Sequence, residues 1–158
     1  MGLDMYLNER HREYVYEPKQ KQLVAEAFPN LGLGSCDRGI TVSLDVEVMY
    51  WRKQNAIHNW FVENVQNGVD DCGDYPVSIE QLIALRGTCK SVMDDHSKAP
   101  VLLPAKSGFF FGSTDYDEWY YDGAATTYNE LSNLLIDHAV GKLKEGIYNR
   151  EFFYHSSW

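Results

Sequence analysis

The chain predicts an α+β fold, with one mostly antiparallel sheet of about four strands covered by three longer helices. Three observations lead there. Residues 41–50 alternate, with Val42, Leu44, Val46, Val48 and Tyr50 on one side and Ser43, Asp45, Glu47 and Met49 on the other. That is the pattern of a strand with one buried and one wetter face, as antiparallel sheets have. Apolar residues then recur at helical spacing over 52–66, 79–93 and 118–143. Finally, the order of segments, β-β-α-α-β-α-β with a short extra helix early, lacks the regular β-α alternation of a doubly wound parallel sheet.

Taken in order, residues 2–8 read as a strand, with Leu3, Met5 and Leu7 opposed to Asp4, Tyr6 and Asn8. Residues 14–16 form a short extended piece. Glu17-Pro18 opens a short helix, because proline suits the first helical position, and Leu23, Val24, Ala27 and Phe28 give it an apolar stripe. Pro29-Asn30 ends it and 32–39 is loop. After the 41–50 strand, the helix over 52–66 turns Ala56, Ile57, Trp60 and Phe61 inward and stops at Asn67-Gly68. Ser78-Ile79-Glu80-Gln81 has the form of a capping box, and the helix it starts buries Ile79, Leu82, Cys89 and Met93. Pro100 to Pro104 mark a turn. Gly108-Phe109-Phe110-Phe111-Gly112 reads as a short apolar strand. Thr114, Asp115 and Asp117 offer caps for the last helix, whose inner face is Tyr120, Ala124, Tyr128, Leu131 and Leu135 and which Gly123 is placed to break. Residues 150–157 form the final strand. The 158 residues suit a single domain spanning 1–158.

Composition narrows the function classes. Hydrophobic residues make up 44% and charged residues 23%, which suits a globular protein and not a disordered one. The net charge of −9 disfavours direct binding to nucleic-acid phosphates. No window approaches the ~18 apolar residues of a membrane span, and the first residues lack the basic start and apolar run of a secretory signal. The three cysteines, Cys36, Cys72 and Cys89, contain no Cys-x-x-Cys, so neither a disulfide framework nor a zinc ribbon is expected. A cytoplasmic location is the expectation.

Standard catalytic signatures are missing. There is no Gly-x-Ser-x-Gly, no phosphate-binding loop ending in Lys-Ser/Thr and no His-Glu-x-x-His. Asp70, Asp71 and Asp74 lack the spacing of a calcium loop, and Cys72 beside them should have a raised pKa, unsuited to a nucleophile. No metal and no cofactor are expected. The richest segment is Tyr50-Trp51-Arg52-Lys53-Gln54-Asn55-Ala56-Ile57-His58-Asn59-Trp60-Phe61. Arg52 carries a planar fork suited to phosphate or carboxylate, Tyr50 and Trp51 offer flat faces, Asn55 and Asn59 donate and accept, and His58 changes charge near neutral pH. On a helix, Arg52, Asn55 and Asn59 would converge. A second concentration follows, where seven of the thirteen residues from Phe109 to Tyr121 are aromatic and Ser113 sits at a helix start. The ending Tyr154-His155-Ser156-Ser157-Trp158 would lie beside Asp4 and Tyr6 if the two terminal strands pair.

The whole chain resembles a family of small phage and bacterial proteins to which no reaction is assigned. The resemblance rests on Met1-Gly2-Leu3-Asp4-Met5-Tyr6-Leu7, on the Tyr50 to Phe61 segment, on Asp71-Cys72, on Gly108-Phe109-Phe110-Phe111-Gly112-Ser113, on Tyr116-Asp117-Glu118, and on Phe153-Tyr154-x-Ser156-Ser157-Trp158. Residues 18–39 depart from it. It implies a shared fold and site and carries no function over; small phage proteins of this size often modulate host defence, and a phage-encoded chain would act in the host cytoplasm.

The expected function is therefore non-catalytic capture of a nucleotide-like immune signal. The candidate ligand-binding residues are Asp4, Tyr6, Tyr50, Trp51, Arg52, Asn55, His58, Ser113, Tyr116, Tyr154 and Trp158, meeting around one hollow. A homo-oligomer would help to build it. Two alternatives stay open: a hydrolase of the same ligand class with His58 or Asp4 as general base, and an acidic inhibitor that binds a host defence protein.

Overall fold

A computed structural model describes residues 2–33, 38–144 and 151–158. Most of the expected 32–39 loop, and Arg150 at the start of the expected last strand, lie outside the described residues. The elements are β1 (Asp4–Val15), α1 (Pro18–Ala27), β2 (Ile40–Arg52), α2 (Asn55–Asn64), β3 (Tyr75–Val77), α3 (Ile79–Asp94), α4 (Ala99–Leu102), α5 (Glu118–Lys144) and β4 (Glu151–Ser157). The fold is α+β. Its single sheet has the order β2-β1-β4-β3, and every pairing in it is antiparallel.

The four-strand count holds, but one strand is not the expected one. Residues 108–112 form a turn, closed by Phe111 N–H donating to the Gly108 carbonyl at 3.1 Å, with Gly112 at φ 88°. A strand would set alternate phenylalanines on one face. The turn instead exposes Phe109, half-buries Phe110 and buries Phe111. A Cβ on Gly108 would sit 2.6 Å from the Phe111 ring, so the turn needs glycine there. The fourth strand is β3, three residues that pair with Phe152 to Tyr154.

A second departure decides where the site lies. The β1–β2 register shifts between Leu7 and Asn8: Leu7 faces Met49 while Asn8 faces Glu47, so Val48 is the extra residue of a β-bulge. The bulge reverses the alternation. Before it, the even residues Val42, Leu44 and Val46 share the face of the core. After it, Met49 and Trp51 turn inward and Tyr50 and Arg52 turn out.

The core lies between one face of the sheet and the helices. Leu3, Met5, Leu7, Met49, Trp51, Phe152 and Tyr154 face Ile57, Phe61, Leu82, Leu85, Tyr120 and Leu131. The capping box at α3 forms as expected, Ser78 Oγ accepting from Gln81 N and Ser78 N donating to Gln81 Oε1. Helix α3 packs along α5, where Arg86 Nε donates to Ser132 Oγ at 2.7 Å and its guanidinium lies over Tyr128. Burial pushes the Cys89 thiol up to about 12, so it acts as a small apolar core residue. Gly123 does not break α5, which runs unbroken for 27 residues. Among the described residues no helix is long and apolar enough to cross a membrane.

Arg10 fastens the outer sheet face. Its guanidinium forks onto Asp45 at 2.7 and 2.8 Å, reaches Asp74 at 2.9 Å and stacks on Phe153. It thereby ties β1, β2, β4 and the 70–74 turn together.

Candidate functional site

The candidate residues do converge, but not on one hollow. They divide between the two faces of the sheet.

On the inner side, α2 is enclosed all round from Asn55 through Val62, and only its last two residues, Glu63 and Asn64, are exposed. It was expected to bury one stripe. His58 is fully enclosed, with Nδ1 2.7 Å from Tyr154 Oη and Nε2 3.0 Å from Asp70 Oδ2. A carboxylate only accepts, so Nε2 carries the proton and the tyrosine hydroxyl donates to Nδ1. Burial lowers the His58 pKa, against the opposing pull of Asp70, and the ring is neutral. Burial likewise raises the Tyr154 hydroxyl well above its ordinary value. Asp70 spends its second oxygen on Trp158 Nε1 at 3.1 Å. Phe111 meets the edges of both His58 and Trp158, and Phe61 stacks on Tyr154 at 3.9 Å. His58 and Tyr154 are spent on these contacts, with Trp158, 44% exposed, at their rim.

Trp51 and Asn55 belong to the same interior. Trp51 Nε1 donates to Thr127 Oγ1 at 2.9 Å. Asn55 donates to the carbonyls of Phe111 and Ser113 and accepts from Lys106 N, so one amide holds the whole 106–113 segment. Ser113 Oγ donates to Asp115, and Tyr116 Oη accepts from Ala105 N at 3.3 Å. Asp117 caps α5 through Tyr120 N. The acidic turn does not gather a cation site: Asp70 serves His58 and Trp158, Asp71 accepts from Gly73 N and Tyr75 Oη, and Asp74 meets Arg10. Among the described residues no three His, Cys, Asp or Glu side chains are grouped as metal ligands.

The outer side is open. The strand register sets Asp4 opposite Arg52 and Tyr6 between Tyr50 and His155. Tyr50 Oη donates to Asp4 Oδ1, and Arg52 Nη1 donates to the same oxygen at 3.1 Å. The Asp4 bond raises the Tyr50 pKa, and contact with Tyr50 and then the Asp4 charge raises that of Arg52. The rings of Tyr50 and Tyr6 lie 5.3 Å apart, and His155 stacks on Tyr6 at 4.7 Å. Three flat side chains from three adjacent strands stand in a row, Tyr6 face to face with His155 and tilted by 47° to Tyr50.

At the β2 end of that row lies a cleft of about 190 Å³, open to solvent and lined by Tyr50, Arg52, Gln54, Trp119, Asp122 and Thr126. Lys53, in the left-handed region at φ 55°, makes the sharp turn from β2 to α2, and its N–H is held by the Leu3 carbonyl at 2.8 Å. Arg52 therefore ends a strand; it does not share a helix face with Asn55 and Asn59 as expected. Across the cleft, Trp119, Asp122, Gly123 and Thr126 form one stripe of α5. A Cβ on Gly123 would lie 2.1 Å from Gln54 Oε1, so Gln54 occupies the space that glycine leaves.

Trp119 and Gln54 were not among the expected site residues. Trp119 precedes the inward Tyr120 and falls outside the apolar arc, and it is 60% exposed. A tryptophan on the wet side of a helix was the signal. Compared with known protein families, with curated proteins and with solved structures, the chain matches none.

Proposed function

We propose that this chain is a non-catalytic binding protein for a small planar, nucleotide-like ligand, held at the cleft between Tyr50 and Trp119, beside the stacked pair Tyr6–His155. The observation that carries the reading is that two aromatic faces, Tyr50 and Trp119, 44% and 60% exposed, open onto one cleft beside the guanidinium of Arg52. Exposed rings beside a cation are what stacking recognition of a charged heteroaromatic requires. Each stacked ring contributes roughly 1–3 kcal/mol. A charge-assisted hydrogen bond to Arg52 adds about 1.5–3 kcal/mol.

The charges limit the ligand. Asp4 already holds one face of Arg52 and Asp122 lines the cleft. This suits one anionic group more than a polyphosphate. Retention is favoured over turnover because His58, the base of the hydrolase reading, is enclosed with both nitrogens engaged, and Asp4 is held by two donors. The resemblance to small phage proteins, which often modulate host defence, supports a host-defence signalling nucleotide as the cargo and sequestration as the role.

Isothermal titration against a panel of mono-, cyclic and short oligonucleotides tests the reading, with the ligand recovered by heating and analysed by chromatography. Saturable binding, weakened in Trp119→Ala and Arg52→Ala, with unaltered ligand recovered, is the expected result. No binding across the panel overturns the reading; altered ligand favours the hydrolase.

A further inference from the structure

We propose that the exposed edge of β2 is a self-pairing surface, on which a second copy of this chain adds its own β2 antiparallel about a two-fold axis at Leu44.

Among the described residues β2 ends the sheet, with β1 on one side and no strand on the other. It is 13 residues long and contains neither proline nor lysine, the residues that commonly blunt an edge. Its bulge lies at Val48, beyond the stretch in question. The first half of β2 extends past Arg10 opposite Glu151, and among the described residues no third strand lies beside β1 there. Its core-side row is uncovered, with Leu44 61% and Val46 43% exposed.

The pattern of that stretch supplies the occupant. A two-fold interface requires one surface to complement itself. Antiparallel pairing centred on Leu44 sets Leu44 against Leu44 and Val42 against Val46, an apolar row on the face of the core. On the other face it sets Ser43 against Asp45 and Thr41 against Glu47, hydroxyl donors opposite carboxylates. No like charges meet. Centring on Val46 instead would set Asp45 directly against Glu47, which costs stability. Centring on Val42 or Ser43 also keeps the carboxylates apart but pairs fewer residues of β2, so the Leu44 register joins the longest apolar row, and the assembly is an eight-stranded sheet running through two copies. Tyr50 and Arg52 lie outside the paired stretch, so the surface is independent of the ligand cleft.

Light scattering on the eluting full-length chain should give twice the 18.2 kDa monomer mass. Leu44→Glu should halve it while circular dichroism and the thermal midpoint stay those of a folded protein. Leu44→Cys should cross-link to itself under mild oxidation, and Thr41→Cys, placed opposite Glu47, should not; this pair decides the matter if Leu44→Glu misfolds. A monomeric wild-type chain overturns the proposal, including one that captures an extended peptide of another protein at this edge. A dimer that survives Leu44→Glu, or in which Leu44→Cys fails to cross-link, overturns it too.

Discussion

Two clusters of similar residues lie back to back across the sheet where the chain begins. Each combines a tyrosine, an aspartate, a cation or imidazole and a tryptophan. Behind the sheet, Tyr154, His58, Asp70 and Trp158 are joined by hydrogen bonds; His58 and Tyr154 are wedged among Phe61 and Phe111, with Asp70 and the exposed Trp158 at the rim. In front, Tyr50, Asp4 and Arg52 are joined to one another, but the faces of the rings and most of the guanidinium remain open beside Trp119. Residue type does not separate the two. Side-chain direction does, and in β2 the bulge at Val48 sets that direction. The comparison teaches that the inner cluster is suited to holding the fold together and the outer one to holding something else.

The largest expected effect lies inside. His58→Ala would leave the Tyr154 hydroxyl and an Asp70 oxygen without their partner and open a cavity against Phe111. Each stranded polar group costs about 1–3 kcal/mol, and the total loss should be on the order of 3–5 kcal/mol. Urea unfolding followed by fluorescence measures it. Tyr154→Phe, which keeps the ring on Phe61, should lose less, about 1–2 kcal/mol. If His58→Ala melts like the wild type, the inner cluster is not structural and the contrast between the two clusters collapses.

The outer cluster should behave oppositely. Trp119→Ala and Arg52→Ala should each weaken ligand binding by roughly 10- to 100-fold, the scale of one lost stacking or charge-assisted contact. Their unfolding midpoints should stay near that of the wild type, within about 0.5 kcal/mol, as for exposed positions generally. A large stability loss in Arg52→Ala would mean that the Asp4–Tyr50–Arg52 cluster is a brace.

A pH titration sharpens the same contrast. Burial lowers the His58 pKa in the folded protein below its ordinary 6.5. The unfolded chain therefore takes up a proton at a pH where the folded one does not. Stability contributed by the neutral ring is present above pH 6.5 and is lost as the pH falls from there towards the lowered folded value. Unfolding midpoints from pH 7.5 to 5.5 should decline, and His58→Gln should flatten that decline although it is less stable throughout. An identical slope in the variant would show that other groups carry the dependence.

Much of the fold was legible because it rests on local signals. The capping box Ser78–Gln81 and the inner face of α5 are each set within a few residues, and each appears where the sequence puts it; the 41–47 strand forms too, but its apolar row is not the buried face the alternation predicts, with Leu44 and Val46 exposed. β3 was not legible: three residues with a proline in the middle show no period, and the strand exists only because β4 lies beside it. The site was half legible. The residue types around Tyr50 marked chemistry, but which of them face solvent depends on one bulge and on the cross-strand pairing of residues 4 and 52, far apart in sequence. A steady alternation through residue 50 would have placed Tyr50 with the valines. Helix α2 misled in another way, since the sequence shows one apolar stripe whereas packing encloses its polar residues too: Asn55 and His58 find partners in turns further along the chain, while Asn59 Oδ1 is buried without a partner among the described residues.

The smallest effect tests the boundary between the two regions. Gln54 fills the hollow above Gly123 and lines the cleft, one residue before the buried Asn55. Gly123→Ala places a methyl where Gln54 Oε1 now sits, 2.1 Å from an ideal Cβ. The amide is the free end of a flexible side chain, so it can swing outward at little cost, and alanine in mid-helix is favoured over glycine by about 1 kcal/mol. Stability should therefore hold or rise slightly. The displaced amide has one open direction, into the cleft beside Trp119, and binding should weaken a few-fold. Gly123→Ala combined with Gln54→Ala should restore binding, because the shorter side chain leaves room for the methyl. Calorimetric titration of the single and double variants reads this directly. If the single variant binds as well as the wild type, Gln54 does not border the ligand and the occupied part of the cleft lies further towards Tyr6.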